Sequence, residues 1–220
     1  MAAQLDFTSK TTINADAGGW DPANARAMVY CSDLAYADPA HVDQTLTTWN
    51  LKLEKFLNVD DTQGFLASGD DGLGIVAFRG TQPTDLIDWA TDANCVLVQD
   101  APGKVHSGFK RALDLVWSDV DSFMKTKQRV FVTGHSLGGA LACLAAARAV
   151  HLNTGAAKAL TLFTYGQPRV GDAFLADDTT RLVIRTIGKD ALHEPAAMIV
   201  DHFMDHYSRL LDGTTGLADS

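Results

Sequence analysis

The run Gly134-His135-Ser136-Leu137-Gly138-Gly139 constrains this chain more than any other feature, because it stands between the apolar stretch Arg129 to Thr133 and a long alanine-rich helical pattern. A serine at a strand-to-helix reversal of this kind sits on a sharp, strained elbow, so the residues two before and two after it can carry almost no side chain. Gly134 and Gly138 meet that demand. The reversal is expected to leave the serine hydroxyl exposed above the sheet edge, with the N–H of Leu137 pointing into the same small volume from a helix N-terminus. Nucleophile and oxyanion donor would then arrive together. Val130-Phe131-Val132 reads as a fully buried strand and Leu137 to Leu152 as a buried helix. The competing explanation is a glycine-rich turn that serves only close helix-strand packing.

Other elements can be read around this one. Asp21-Pro22 looks like a cap followed by proline at the first helical position, opening a helix that carries Met28, Val29, Cys31, Leu34 and Ala35 and stops near Pro39. Phe65 to Ser68 and Gly74 to Phe78 flank the turn signal Asp70-Asp71-Gly72 and read as a β-hairpin. Helical spacing returns from Phe109 to Met124, and strands are expected over Leu160 to Tyr165 and Leu182 to Ile187. Strands and helices alternate from Arg129 onward, which predicts an α/β fold with a mostly parallel central sheet and helices on both faces. Nothing resembles a linker, a repeat or a low-complexity segment, so residues 1–220 read as a single domain.

The formal net charge of −9 argues against a nucleic-acid partner and against electrostatic docking on anionic membranes, so any lipid contact would be apolar. Cys31, Cys95 and Cys143 are odd in number and widely spaced, which suggests neither a disulfide framework nor a zinc knuckle. Cys31 and Cys143 fall in apolar helical runs and read as small core residues. Met1 to Lys10 has no basic segment followed by an apolar one, and no apolar run approaches membrane-spanning length. The expectation is a cytoplasmic protein or a secreted form whose signal has been trimmed.

A serine elbow needs a base and an acid to orient it, and on this type of sheet they follow in the order Ser, Asp or Glu, His. Asp190 is the best acid, since it comes directly off the carboxyl end of the strand Leu182 to Ile187, where catalytic side chains collect. Asp172 is better explained as a helix cap. Of the later histidines, His151 closes the helix after the elbow, His202 is the preferred base, His206 the runner-up and His193 the third choice. His202 and His206, four apart, could share a metal, but a zinc-protease helix needs glutamate at position 203, which here is Phe203. Neither a metal nor a cofactor is expected.

Five ordered segments then fall into line: Phe78-Arg79-Gly80-Thr81, Asp88-Trp89, Val105-His106-Ser107-Gly108-Phe109, Val132 to Ala140, and Thr164-Tyr165-Gly166-Gln167-Pro168-Arg169-Val170-Gly171-Asp172. Together they resemble the class 3 lipases, the α/β-hydrolase family of the fungal triacylglycerol lipases and many bacterial relatives. The likeness covers about Gly74 to Asp190. It implies Ser136 as nucleophile, Asp190 as acid, and a base in a late Asp-His segment, which Asp201-His202 matches. It further implies that Thr81 supplies the second oxyanion donor beside Leu137, and that the segment after Gly80, at about 82–98, is a lid. Two features depart from the family. Asp190 and His202 are only twelve residues apart where the family carries a long insertion, and three scattered cysteines cannot supply the disulfides of secreted fungal members.

The chemistry so implied is ester hydrolysis through an acyl-enzyme, most simply on acylglycerols, with transient contact at lipid interfaces. Leu86, Ile87 and Trp89 from the lid, His135 in the elbow, and Pro168 or Met198 near the site are the candidate substrate-binding residues. Within the lid, Thr84 to Ala93 has the spacing of a short amphipathic helix, with Asp85, Asp88 and Asp92 on one face and Leu86, Trp89, Ala90 and Ala93 on the adjoining one. A short-chain carboxylesterase or acyltransferase would use the same triad. A catalytically silent binding module of the same fold is the third reading.

Overall fold

Strand pleating sorts the core of this protein into two halves. A computed structural model describes residues 12–15, 21–80, 96–100, 103–152 and 159–171. Its elements are helices α1 (Pro22–Leu34) and α2 (Pro39–Thr48), strands β1 (Lys52–Val59), β2 (Thr62–Ser68), β3 (Leu73–Phe78), β4 (Leu97–Gln99) and β5 (Lys104–His106), helix α3 (Ser107–Lys125), strand β6 (Arg129–His135), helix α4 (Leu137–His151) and strand β7 (Ala159–Tyr165). Five strands form one sheet in the order β1-β2-β3-β6-β7, and β4 pairs with β5 as a separate ribbon. The β1-β2 and β2-β3 pairings are antiparallel, whereas β3-β6 and β6-β7 are parallel. Leu182 to Ile187 lies outside the described residues.

Successive side chains of a strand face opposite sides. Ile75 and Ala77 of β3, with Phe65, Ala67, Phe131 and Phe163, therefore meet Met28 and Leu34 of α1 and Leu46 of α2. Val76 and Phe78, with Leu66, Val130, Val132 and Leu162, meet Leu113 and Val116 of α3 and Leu141 and Leu144 of α4. Every residue of β3 is buried, as a strand covered on both faces must be. The expected two-sided arrangement of helices is thus realised. Twelve of the fifteen residues of α4 are buried, so it is an interior helix, and its alanines let it lie close on β6, β7 and α3. Its buried cation, Arg148, is matched by Asp100 at 2.5 Å and Asp114 at 2.8 Å and lies over the Trp117 ring at 5.0 Å.

Three local features decide the rest. Asp21 caps α1 by accepting from the N–H of Asn24 at 3.0 Å, with Pro22 just inside the helix. The pair Asp38-Pro39 repeats that signature: Asp38 accepts from Ala40 and His41, both at 3.0 Å, and Pro39 opens α2 instead of merely ending the first helical stretch. Strand β1 was not legible in the sequence because its register shifts between Leu53 and Lys55, a bulge that breaks the period-two pattern. The expected β2-β3 hairpin is present, turning through a short 3₁₀ segment with Asp71 at φ 54°.

Candidate active site

Strand β6 ends at His135 and α4 begins at Leu137, which leaves one residue for the reversal. That residue, Ser136, adopts φ 57°, ψ −125°, a conformation that L-residues rarely occupy and that costs about 1–3 kcal/mol. Its backbone is held on both sides. The Ser136 N–H donates to the Tyr165 carbonyl at 2.9 Å, and the Ser136 carbonyl accepts from Ala140 at 3.2 Å. Burial of Leu141 and Leu144 alone contributes about 1.5–3 kcal/mol each, so docking of α4 outweighs the strain at its first turn. The glycines permit the close approach. A Cβ on Gly134 would stand 2.2 Å from the Gly138 carbonyl oxygen, and one on Gly138 would stand 2.2 Å from that of Phe78.

The Ser136 side chain is not exposed as the sequence suggested: the residue is wholly buried, and its Oγ has no hydrogen-bond partner among the described residues. The chain leaving β3 is one reason. A Cβ on Gly80 would lie 3.2 Å from Ser136 Cβ and 2.5 Å from the His135 carbonyl oxygen, so the Gly80 backbone stands against Ser136. A buried, unsatisfied hydroxyl destabilises a fold, and such groups in native structures call for a functional account. Leu137 is half-buried, and its N–H heads α4, where helix geometry provides no intrahelical acceptor. It is a donor aimed from the positive end of the helix dipole.

His135 is 7% exposed, with Nδ1 3.0 Å from the Tyr36 hydroxyl and the two rings tilted at 6.1 Å. Tyr36 follows α1 and was not singled out by sequence, since nothing local links it to a residue 99 positions away. Burial pushes the Tyr36 phenol well above its ordinary pKa, against the opposing hydrogen bond from the Gly80 backbone and the nearby charge of Arg79. It is therefore a neutral group near pH 7. Deeper under the elbow, Thr133 and Ser32 share a hydroxyl hydrogen bond of 2.8 Å, and Thr133 donates to the Met28 carbonyl at 3.2 Å, fastening β6 to α1. Pro168 is half-buried in the segment after β7, three residues beyond the carbonyl that holds Ser136.

Ser136, Leu137 and His135 are thus assembled at one point, with Pro168 on the adjoining strand end. Thr81, Leu86, Ile87, Trp89, Asp172, Asp190, His193, Met198, His202 and His206 lie outside the described residues. Of the segment read as a lid, Leu97 and Val98 belong to β4 and pair with His106 and Val105. A cavity of about 250 Å³ opens beside Leu137, between Leu141, Ala112 of α3, Arg79 and the Asp60-Asp61 turn. The cysteine thiols offer no rival nucleophile among the described residues. Burial pushes Cys31 up to about 12, and it pushes Cys143 up to about 11 against a hydrogen bond with Gln167. No group of three His, Cys, Asp or Glu side chains able to hold a metal occurs among the described residues. Nor is any helix among them long and apolar enough to cross a membrane.

The family model described as lipase (class 3) matches residues 75–190, more than half of the chain. A lipase of Rhizomucor miehei is 34% identical over 170 residues, covering 69% of this chain and 45% of that protein. A secreted mono- and diacylglycerol lipase of Malassezia globosa is 33% identical over 191 residues, covering 78% of this chain and 58% of that protein. Among solved structures, the native propeptide complex of Rhizomucor miehei lipase superposes with a TM-score of 0.60 at 27% identity, covering 78% of this chain and 62% of the other. These structural neighbours have the α/β-hydrolase fold. The chain spans about half the length of the curated relatives it matches.

Proposed function

The chain belongs to the class 3 lipases, and on that premise we propose that it hydrolyses carboxylic esters, with acylglycerols as substrates, through Ser136, His202 and Asp190. The observation that carries this reading is the elbow itself: a serine in strained backbone beside a helix N-terminus, its buried Oγ without a hydrogen-bond partner among the described residues. Packing alone would not favour a serine here, because alanine would fill the same space without burying an unsatisfied hydroxyl. The names of the relatives, which include triacylglycerol and mono- and diacylglycerol lipases, support the glyceride as substrate class.

In the proposed mechanism His202 takes the proton of Ser136 as Oγ attacks the ester carbonyl, and Asp190 holds the imidazole in the required tautomer. The N–H groups of Thr81 and Leu137 receive the developing oxyanion. Collapse expels the alcohol, which takes the proton back from His202, and leaves the acyl group on Ser136. Water, deprotonated by the same histidine, then releases the fatty acid. Leu86, Trp89 and Pro168 wall the acyl path, while His135, turned toward Tyr36, acts through the elbow. Neither a metal nor a cofactor enters this scheme.

A fluorophosphonate probe tests the central step. It should label the protein stoichiometrically at Ser136 and fail to label Ser136→Ala. Absence of labelling in the unaltered protein would leave a silent binding module of this fold as the better reading. A panel of nitrophenyl esters and glycerides, below and above their aggregation thresholds, then separates a lipase from a short-chain esterase.

A further inference from the structure

The ladder between β3 and β6 ends at the pair Phe78 and Gly134. One residue further, the Arg79 N–H donates to the Gln63 carbonyl of β2 at 2.9 Å, which continues the β2-β3 pairing past the last β3-β6 pair. In sequence the two oxyanion donors proposed above follow this pair, Thr81 after β3 and Leu137 after β6. Some contact must set their separation.

We propose that Tyr36 is a positioning residue that spans the two strand ends and fixes the geometry of the oxyanion hole, an inference that rests on the serine-hydrolase reading above. Its phenol oxygen lies directly against the Gly80 backbone on the β3 side. The same hydroxyl is hydrogen-bonded to Nδ1 of His135 on the β6 side, at 3.0 Å. Gly80 adjoins Thr81, and His135 adjoins Ser136. The fit is close enough that a Cβ on Gly80 would stand 2.3 Å from the phenol oxygen. The Arg79 guanidinium lies over the Tyr36 ring at 5.6 Å and donates to the Gln63 side chain, which steadies the ring from the outer side. One hydroxyl thus joins the last residue before one donor to the last residue before the nucleophile.

A residue with only a packing role would tolerate loss of the hydroxyl, because phenylalanine keeps the ring and its stacking with Arg79 and His135. A bridge would not. Donors misplaced by a fraction of an ångström weaken the transition state and leave ground-state binding almost untouched. Tyr36→Phe is therefore expected to lower kcat on a soluble monomeric ester such as nitrophenyl butyrate by about 10- to 100-fold, below the loss from deleting a donor outright. KM should stay within about twofold, since the contact acts on the transition state. Phosphonylation by a fluorophosphonate, whose tetrahedral adduct uses the same donors, should slow by a similar factor. Tyr36→Ala should lose little more kcat than Tyr36→Phe, and the melting temperature of Tyr36→Phe should stay near that of the parent.

Retention of kcat in Tyr36→Phe alongside a deep loss in Tyr36→Ala would overturn the bridge and leave a packing role. A loss confined to KM would overturn it too. Should Tyr36→Phe fail to fold, His135→Leu cuts the same bridge from its other end, and an unchanged kcat in that variant overturns the proposal. Ser136→Ala, assayed in parallel, separates the two levels of inference. Activity surviving there would sink the serine reading and the bridge together, whereas an inactive Ser136→Ala with an intact Tyr36→Phe would sink the bridge alone.

Discussion

Ser136 is burdened twice, by a left-handed backbone and by a hydroxyl buried without a partner among the described residues. Two changes at this residue should abolish the chemistry and leave the fold intact. Ser136→Ala deletes the hydroxyl that the proposed mechanism sets against His202, so its stability is expected within about 1 kcal/mol of the parent. Ser136→Gly also relieves about 1–3 kcal/mol of backbone strain and should melt above Ser136→Ala. Thermal unfolding measures that order, with ester hydrolysis gone from both. A variant keeping a tenth of the parental rate would contradict the assignment of this serine. For the base, kinetics must choose between two histidines. His202→Ala should be as damaging as loss of the serine, since triad members act as a unit, while His206→Ala should be mild. The reverse ranking would transfer the role to His206. A neutral imidazole is required in either case, so kcat/KM should fall as pH drops through about 6 to 7, and a flat profile there would exclude a histidine base.

At the level of elements, legibility followed the regularity of the pattern. The hairpin of β2 and β3, helices α1, α3 and α4, and strands β6 and β7 were all readable, because each presents an unbroken apolar period or a plain turn signal. Helix α2 is hidden in the sequence because Pro39 reads as a stop to the preceding helix, whereas Asp38 before it makes it a start. Strand β1 was hidden by its bulge and by Lys52, Glu54 and Lys55 along its length. The segment Thr84 to Ala93 is read from periodicity alone, and function can test it. If its apolar face covers the site in water and turns outward at a lipid surface, exposure of Leu86 and Trp89 is favoured only where an apolar phase receives them. The rate on a partly soluble triglyceride should then rise disproportionately once substrate aggregates. Trp89→Ala and Leu86→Asp should weaken that rise more than they weaken hydrolysis of a monomeric ester. Simple saturation through the solubility limit, with both variants equally impaired on both substrates, would favour a lidless esterase.

The whole molecule shows why the site was only half legible. The elbow is local: six adjoining residues announce the turn, the proposed nucleophile and one proposed donor. What surrounds it is not local, since Tyr36 reaches His135 across 99 positions and the burial of Ser136 depends on where the chain leaving β3 runs. The turn at Ser136 is therefore legible in the sequence, whereas the burial of its side chain is not. Net charge, by contrast, is a property that sequence states outright, and it bears on how the protein meets its substrate. With a formal charge of −9 and a pI near 5.0, the chain is expected to be repelled by an anionic surface at neutral pH, so on the proposed lipase reading its adsorption should come from apolar contact. On triglyceride emulsions doped with an anionic phospholipid the rate should fall relative to a zwitterionic coat of the same area. Raising the ionic strength from about 0.01 M to 0.15 M shortens the screening length from about 30 Å to about 8 Å. That change should restore most of the lost rate on the anionic surface and alter the zwitterionic one little. Hydrolysis of a soluble neutral ester, which involves no surface, should be indifferent to both changes. Faster turnover on the anionic emulsion at low salt would mean that a local basic patch governs docking, in place of the overall charge.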